Sequence, residues 1–241
     1  MNVVYLHQYF RLPSEPGGQR SYSFAKGLVG AGHRVTMITS NSTHPDWGFI
    51  ERQSVDGIDV IYVKNAYMNS MGAVARIWSF LKFMIVASGL AMLQPKVNLV
   101  FATSTPLTIA VPAVLLKFFR RVPFVFEVRD MWPDVPWEMG MLRQRWIFRL
   151  LKSFEGFVYS YSDHIVAISN GIRELVGHPG RTTVLPFGAN IDLFTHRLNK
   201  DNETFTVLFT GAVGNANGPE YLVEVAKLVQ DRGDSNIEFV M

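Results

Sequence analysis

The chain has 241 residues, of which 48% are hydrophobic, so it is too apolar for a disordered segment and long enough for one full domain and part of another. Its formal net charge of +3 is mild, and the basic residues lie among Trp, Phe and Ile in helical patterns, which argues against a long nucleic-acid track and for a membrane surface or a phosphorylated ligand. Cysteine is absent, excluding a disulfide scaffold and a thiolate metal site and suiting a cytoplasmic protein.

In chain order, residues 1–6 lack the basic start of a signal peptide and run straight into a strand pattern at 3–6. A loop at 12–20 follows, and then a helix over 20–31 closed by Gly32. Strands are expected at 35–39 and 58–63, before a long apolar helix over 73–93 that Pro95 stops. The pattern continues with a strand at 99–102, a helix over 107–119, a strand at 124–128, a helix over 143–161 and a strand at 164–167. Ser169 is placed as the N-cap of a helix over 170–176, and a strand at 183–185 completes the series. Near-continuous apolar strands alternating with helices predict an α/β, Rossmann-like domain over residues 1–190, its parallel sheet covered on both faces.

The polar stretch 191–204 reads as a linker. Residues 205–241 then begin a second unit: a strand at 206–209, a glycine-rich loop from Gly211 to Gly218, a helix over 219–231 and a strand at 237–240. One β-α-β unit cannot cover both faces of its sheet, so the expectation is a second Rossmann-like domain that is incomplete within these residues.

Two segments carry candidate chemistry. The loop at 12–20 leads from the first strand to the first helix, at the carboxyl edge where parallel sheets bind ligands. Gly17 and Gly18 let backbone approach a ligand, and the helix start favours an anion such as phosphate. A flexible βα turn is the alternative reading, and the G-x-G-x-x-G dinucleotide fingerprint is not present. The second segment, 127–134, places Glu127, Arg129 and Asp130 at the end of an interior strand. Charges there must pair or meet a ligand. Arg129 suits a phosphate or sugar hydroxyl, and Asp130 an acceptor hydroxyl. Trp132 before Pro133 is either a stacking wall or core, and His7 either faces the cleft or is a hydrogen-bonded structural residue. The histidines are scattered, so no metal site is expected.

Two helices suit a lipid surface. Val74, Ile77, Trp78, Leu81 and Ile85 share one helical face, but Arg76 and Lys82 interrupt the run, and a central Lys costs about 2.5–3.5 kcal/mol in a bilayer. The reading is therefore peripheral rather than transmembrane. Arg145, Arg149 and Lys152 follow helical spacing beside Trp146, Leu150 and Phe154, a basic amphipathic face whose alternative is a solvated surface over ordinary core.

Taken in order and spacing, several segments resemble the family 4 glycosyltransferases of the GT-B fold: Tyr9-Phe10 to Gly17-Gly18, residues 32–39, Arg129-Asp130-Met131-Trp132-Pro133, residues 162–169 and residues 184–194. The Arg-Asp-x-Trp-Pro segment is similar to a branch acting on bacterial surface polysaccharides. The resemblance implies two Rossmann-like domains, and transfer of a sugar from a nucleotide-activated donor, expected to be a UDP-sugar, with retention and no obligatory metal. It implies a lipid-linked saccharide acceptor, work at the inner face of the cytoplasmic membrane, and no nucleic-acid partner. It sets Gly17 and Gly18 against the donor diphosphate and sugar, with Arg129 where many members have a histidine and Asp130 next to it.

In the second unit the resemblance assigns the loop of Gly211, Ala212, Gly214, Asn217 and Gly218 to the donor diphosphate. Many members carry an Arg and a Lys where this chain has Ala212 and Asn217. Their loss weakens charge-assisted binding, for which backbone N–H groups from Gly214 to Gly218 substitute in part. The family's paired glutamates lie beyond residue 241, so these residues alone are expected to be inactive. Two other readings stay open. One is a nucleotide-sugar epimerase of the same architecture, and the other is a non-catalytic acceptor-binding and membrane-docking subunit that needs a donor-binding partner.

Overall fold

The computed structural model describes residues 1–41, 46–66, 71–189, 204–211, 218–234 and 236–241. The chain divides into two compact units, Met1–Gly188 and Ala189–Met241. The first is built from β1 (Asn2–Leu6), α1 (Arg20–Gly30), β2 (Arg34–Asn41), β3 (Ile50–Val55), β4 (Ile58–Lys64), α2 (Ala73–Leu93), β5 (Leu99–Thr103), α3 (Ala110–Arg120), β6 (Phe124–Val128), α4 (Asp134–Glu138), α5 (Arg145–Tyr161), β7 (His164–Ala167), α6 (Asn170–Val176) and β8 (Thr182–Val184). The eight strands form one sheet in the order β3-β4-β2-β1-β5-β6-β7-β8. Every neighbouring pair is parallel except β3 with β4.

Two of these elements go beyond the sequence reading. Strand β3 forms an antiparallel edge through a two-residue turn at Asp56 and Gly57, both at positive φ (51° and 80°). That Asp-Gly pair is the usual hairpin signal, and the charged Glu51 and Arg52 suit a sheet edge. The short α4 follows Pro133 and has no apolar periodicity long enough to betray it. Elsewhere local punctuation acts as expected. The Ser169 hydroxyl accepts from Ile172 N to start α6, and Gly177 ends that helix in the left-handed region (φ 73°).

The pleat sorts the core by alternate residues. Val4 and Leu6 of β1, Ile61 and Val63 of β4, Val100 and Ala102 of β5, and Phe124 and Phe126 of β6 point to one face, packing with Phe83 and Ala87 of α2, Leu116 of α3 and Val158 of α5. Tyr5, Met37, Val60 and Phe101 point to the other, beneath Tyr22 and Ala25 of α1. Ser79, Phe83, Ala87 and Ala91 recur every four residues as the buried stripe of α2. Val74–Leu93 is long and apolar enough to cross a membrane, yet this stripe binds it to the sheet.

The second unit comprises β9 (Phe205–Leu208), α7 (Pro219–Asp231) and β10 (Ile237–Val240), with β9 and β10 paired in parallel. Gly218 adopts the left-handed region (φ 54°) just before α7, and Pro219 occupies the first turn, where its missing N–H removes a donor that would lack a partner. Phe205 and Leu208 remain exposed on this small sheet. The expected linker falls largely outside the described residues.

Candidate functional site

The strand order reverses direction at β1, with β2 on one side and β5 on the other. In open α/β sheets ligands bind at such a switch point, beyond the carboxyl ends of the strands. On the α1 side of that edge the pleat sets Tyr5 and His7 from the β1 end, Thr103 from β5, and Glu127 and Arg129 from β6, with Thr103 and Glu127 directly opposed in register. The first turn of α1 closes over them with Arg20 and Ser21.

At the centre is Glu127, fully buried. Its Oε1 accepts from Arg20 Nε at 2.8 Å and its Oε2 from the Thr103 hydroxyl at 2.8 Å. Arg20 is itself nearly buried, and its Nη1 and Nη2 donate to the Pro186 and Leu185 carbonyls at 2.7 and 2.6 Å. Its guanidinium carbon sits 4.4 Å from the Phe24 ring centre and 5.0 Å from that of Phe187. A buried carboxylate is tolerable only when paired and hydrogen-bonded, and here both conditions are met. Arg20 thus ties α1, β6 and the segment after β8 together. The Tyr5 phenol is buried beside this carboxylate, and burial first, then the charge of Glu127, pushes its ionisation well above the ordinary range.

His7 lies between this centre and the ligand edge. Its Nδ1 is 2.7 Å from the Ser21 hydroxyl and its Nε2 is 3.4 Å from Arg129 Nη1. Burial, reinforced by Arg129 and Arg11, pushes its pKa down to about 3, so the ring stays neutral near pH 7.

Arg129 differs from Arg20 in what remains for a ligand. It is partly exposed, its backbone N–H donates to Ser104 Oγ at 3.0 Å, and its guanidinium carbon is 5.3 Å from the Phe187 ring centre. Among the described residues its guanidinium makes one hydrogen bond, to His7. A guanidinium carries five N–H donors, so several can serve an anion. A Cβ placed on Gly18 would lie 3.5 Å from Arg129 Nη2, so a side chain there would compete with a ligand for the space in front of the cation. Gly17 has φ 132°, and a Cβ on it would meet Arg11 Cγ at 3.0 Å. The two glycines and Arg129, 111 residues apart at the nearest, are therefore brought together.

Asp130 takes a different position. It is exposed, and its carboxylate accepts from the Thr105 hydroxyl at 2.6 Å. In the second unit, a Cβ on Gly211 would meet the Phe209 ring at 3.3 Å, and Gly218 starts α7. Ala212, Gly214 and Asn217 lie outside the described residues. No cluster of three or more His, Asp or Glu suited to a metal occurs among the described residues. The sequence reading had singled out Glu127 as a charge in need of a partner. It had no signal for Arg20, Ser21, Thr103 or Tyr5 as the groups that supply the contacts.

The outer surface of the opposite face is apolar. Val74, Ile77, Trp78 and Ile85 of α2 are exposed, as are Trp146 and Leu150 of α5, with Trp78 and Trp146 each 68% accessible. Phe80 meets Trp132 edge-on and Trp137 meets Phe148, linking α2 and α5 to the segment after β6. A groove of about 530 Å³ runs beside α2, lined by Asn65, Trp78, Ser79, Lys82 and Ile85. Of the three basic residues expected on α5, Arg145 and Arg149 are exposed. Lys152 is instead paired with Asp134 at 2.6 Å and Glu155 at 2.7 Å, which offset its charge.

Residues 17–188 match a family model described as a glycosyl transferase 4-like domain. No curated protein matches the sequence. Among solved structures, sucrose-phosphate synthase from Thermosynechococcus elongatus superposes with a TM-score of 0.67 at 14% identity, covering 99% of this chain and 70% of that one. The trehalose-6-phosphate synthase OtsA gives 0.65 at 11% identity over 99% of this chain, which spans 64% of OtsA. The structure of LpCGTa in complex with UDP gives 0.55 at 10% identity, covering 100% of this chain and 69% of that one. Likenesses at such identities show the fold, an α/β arrangement of the GT-B type. The family match extends over more than half of the sequence, from the glycine pair through Arg129 to the end of the first unit, and the chain belongs to the glycosyl transferase 4-like domain family.

Proposed function

We propose that this protein transfers a sugar from a nucleotide-sugar donor, a UDP-sugar, to a lipid-linked saccharide acceptor during bacterial surface-polysaccharide synthesis, with retention of anomeric configuration. The observation that carries the reading is the Arg129 guanidinium, held over Gly18 at the switch point with N–H groups to spare. A departing nucleoside diphosphate gains charge as the glycosidic bond breaks, and preorganised donors aimed at that charge stabilise the transition state more than the ground state. The first N–H groups of α1 beside the glycine pair add to the same field. Asp130, held by Thr105 next to Arg129, is assigned to the acceptor hydroxyl, which attacks from the side the diphosphate leaves.

Support for a lipid-linked acceptor comes from the opposite face. Exposed Trp78, Ile85, Trp146 and Leu150, with Arg145 and Arg149 among them, have the composition of a surface that rests in a headgroup layer, at the inner face of the cytoplasmic membrane. The test is a panel of nucleotide sugars offered to the full-length protein with a polyprenyl-linked saccharide in vesicles. Transfer from one donor, with the product anomer unchanged, is the expected outcome. No transfer or hydrolysis with any donor overturns the proposal, and epimerised free sugar nucleotide formed without acceptor would replace it with the epimerase reading.

A further inference from the structure

We infer that His7 is a positioning residue, a neutral imidazole protonated on Nδ1 whose Nε2 lone pair holds the Arg129 guanidinium in place over the glycine loop. The inference rests on the transferase reading for what Arg129 does, but its geometric content stands apart from that reading.

The buried groups around His7 have few protons to share. At one end the Glu127 carboxylate can only accept. Its Oε2 takes the single hydroxyl proton of Thr103 at 2.8 Å. The 3.2 Å contact between Thr103 and Tyr5 must then be made by the Tyr5 phenol donating to Thr103 Oγ1. At the other end the Arg129 guanidinium can only donate. His7 Nε2, 3.4 Å from Arg129 Nη1, must therefore be the nitrogen without a proton. A neutral imidazole of that kind carries its proton on Nδ1, and Ser21 Oγ lies 2.7 Å away to receive it. The donor-only guanidinium on one side and the Ser21 hydroxyl on the other leave His7 one tautomer.

The consequence concerns where Arg129 points. Its Nη1 is engaged by His7, and its Nη2 is the nitrogen nearest Gly18. Without the imidazole lone pair, a long and partly exposed side chain has many rotamers, and a cation misplaced by about 1 Å loses on the order of 100-fold in its effect on a transition state. Burial and the facing charges of Arg129 and Arg11 agree with a ring that stays neutral.

Two measurements test this. The first is 15N spectroscopy of the labelled imidazoles, with the His7 signals identified by their loss in His7→Gln. The expected result is a proton on Nδ1, a bare Nε2, and no titration between about pH 5 and 8. A proton on Nε2, or titration in that range, overturns the inference. The second is a mutant cycle in the full-length enzyme. His7→Phe is expected to lower kcat about 10- to 100-fold with donor KM changed less than about 3-fold, and to cause no further loss in Arg129→Ala. His7→Gln, which keeps an acceptor, is expected to recover part of the rate. An equal loss from His7→Phe in both backgrounds would make the histidine merely structural. If the parent enzyme transfers nothing, the transferase reading fails, and the spectroscopic result alone decides this one.

Discussion

The two sides of one sheet edge have opposite characters. On the α1 side, Tyr5, His7, Arg20, Ser21, Thr103 and Glu127 are buried and polar, and nearly all their hydrogen-bonding groups are matched. Around α2 and α5, the buried layer is apolar and so is much of the outer surface. The pleat makes this segregation possible, because neighbouring residues on a strand serve different layers. The two arginines sharpen the contrast within the polar side. Arg20 is spent on protein groups and stabilises architecture, whereas the Arg129 guanidinium makes one hydrogen bond, to His7, among the described residues. A charge whose every nitrogen is engaged by protein reads as structure, and one held in place by a single nitrogen reads as function.

That contrast can be broken in four ways, three by substitution, taken from the largest expected effect to the smallest, and one by pH. Glu127→Ala leaves Arg20 buried without its carboxylate and is expected to cost about 3–5 kcal/mol in urea unfolding. An effect under about 1 kcal/mol would remove the distinction between the two arginines. Arg129→Ala is expected to leave stability within about 0.5 kcal/mol while lowering kcat about 100-fold or more in the full-length enzyme. If it unfolds the protein instead, Arg129 belongs with Arg20.

On the other face, Trp78→Glu and Trp146→Glu are each expected to weaken binding to vesicles about 10-fold or more, with unfolding unchanged within about 0.5 kcal/mol. Arg145→Gln and Arg149→Gln should matter only on anionic vesicles, by about 1 kcal/mol each. Unaltered flotation in all four variants would make this face an ordinary solvated surface.

The fourth effect is a slope with pH. A histidine unfolded in water titrates near 6.5 and His7 in the fold near 3. Below about pH 6.5 the unfolded chain therefore binds a proton that the native ring refuses. Stability is expected to fall with pH by up to about 1.4 kcal/mol per unit as the pH drops towards the folded value. Urea unfolding between pH 7 and 5 measures this, and the slope should flatten in His7→Gln. Asp163 does not cloud that window. Burial raises its carboxyl, but hydrogen bonds from Lys117 and Phe124 N outweigh it and hold it below its ordinary range, so its contribution is lost only at more acid pH.

Much of the fold was legible because its signals are local. Apolar runs at strand length, helical spacing in 73–93 and 143–161, Ser169 as a cap and Gly32 as a stop act over a few residues, and the structure uses each of them. Strand β3 was equally legible in principle, since Asp56-Gly57 announces a hairpin, but its polar alternation lacks the apolar run that marks the other strands. The helix at 143–161 begins two residues later than its apolar period indicated, at Arg145.

The candidate site was half legible. Glycine beside a helix start and a charge at a buried strand end point to Gly17, Gly18 and Arg129 from residue type and position alone, because burial of charge and approach of backbone are costs any fold must meet. Which partners meet those costs is another matter. Arg20 and Glu127 are 107 residues apart, His7 and Arg129 are 122 apart, and no periodicity carries information over such spans. Strand order brings β1, β5 and β6 side by side, and the register of β5 on β6 sets Thr103 against Glu127. Local chemistry thus prescribed the elements and the need for a counter-charge, while tertiary pairing chose Arg20 to meet it and left Arg129 facing the ligand edge.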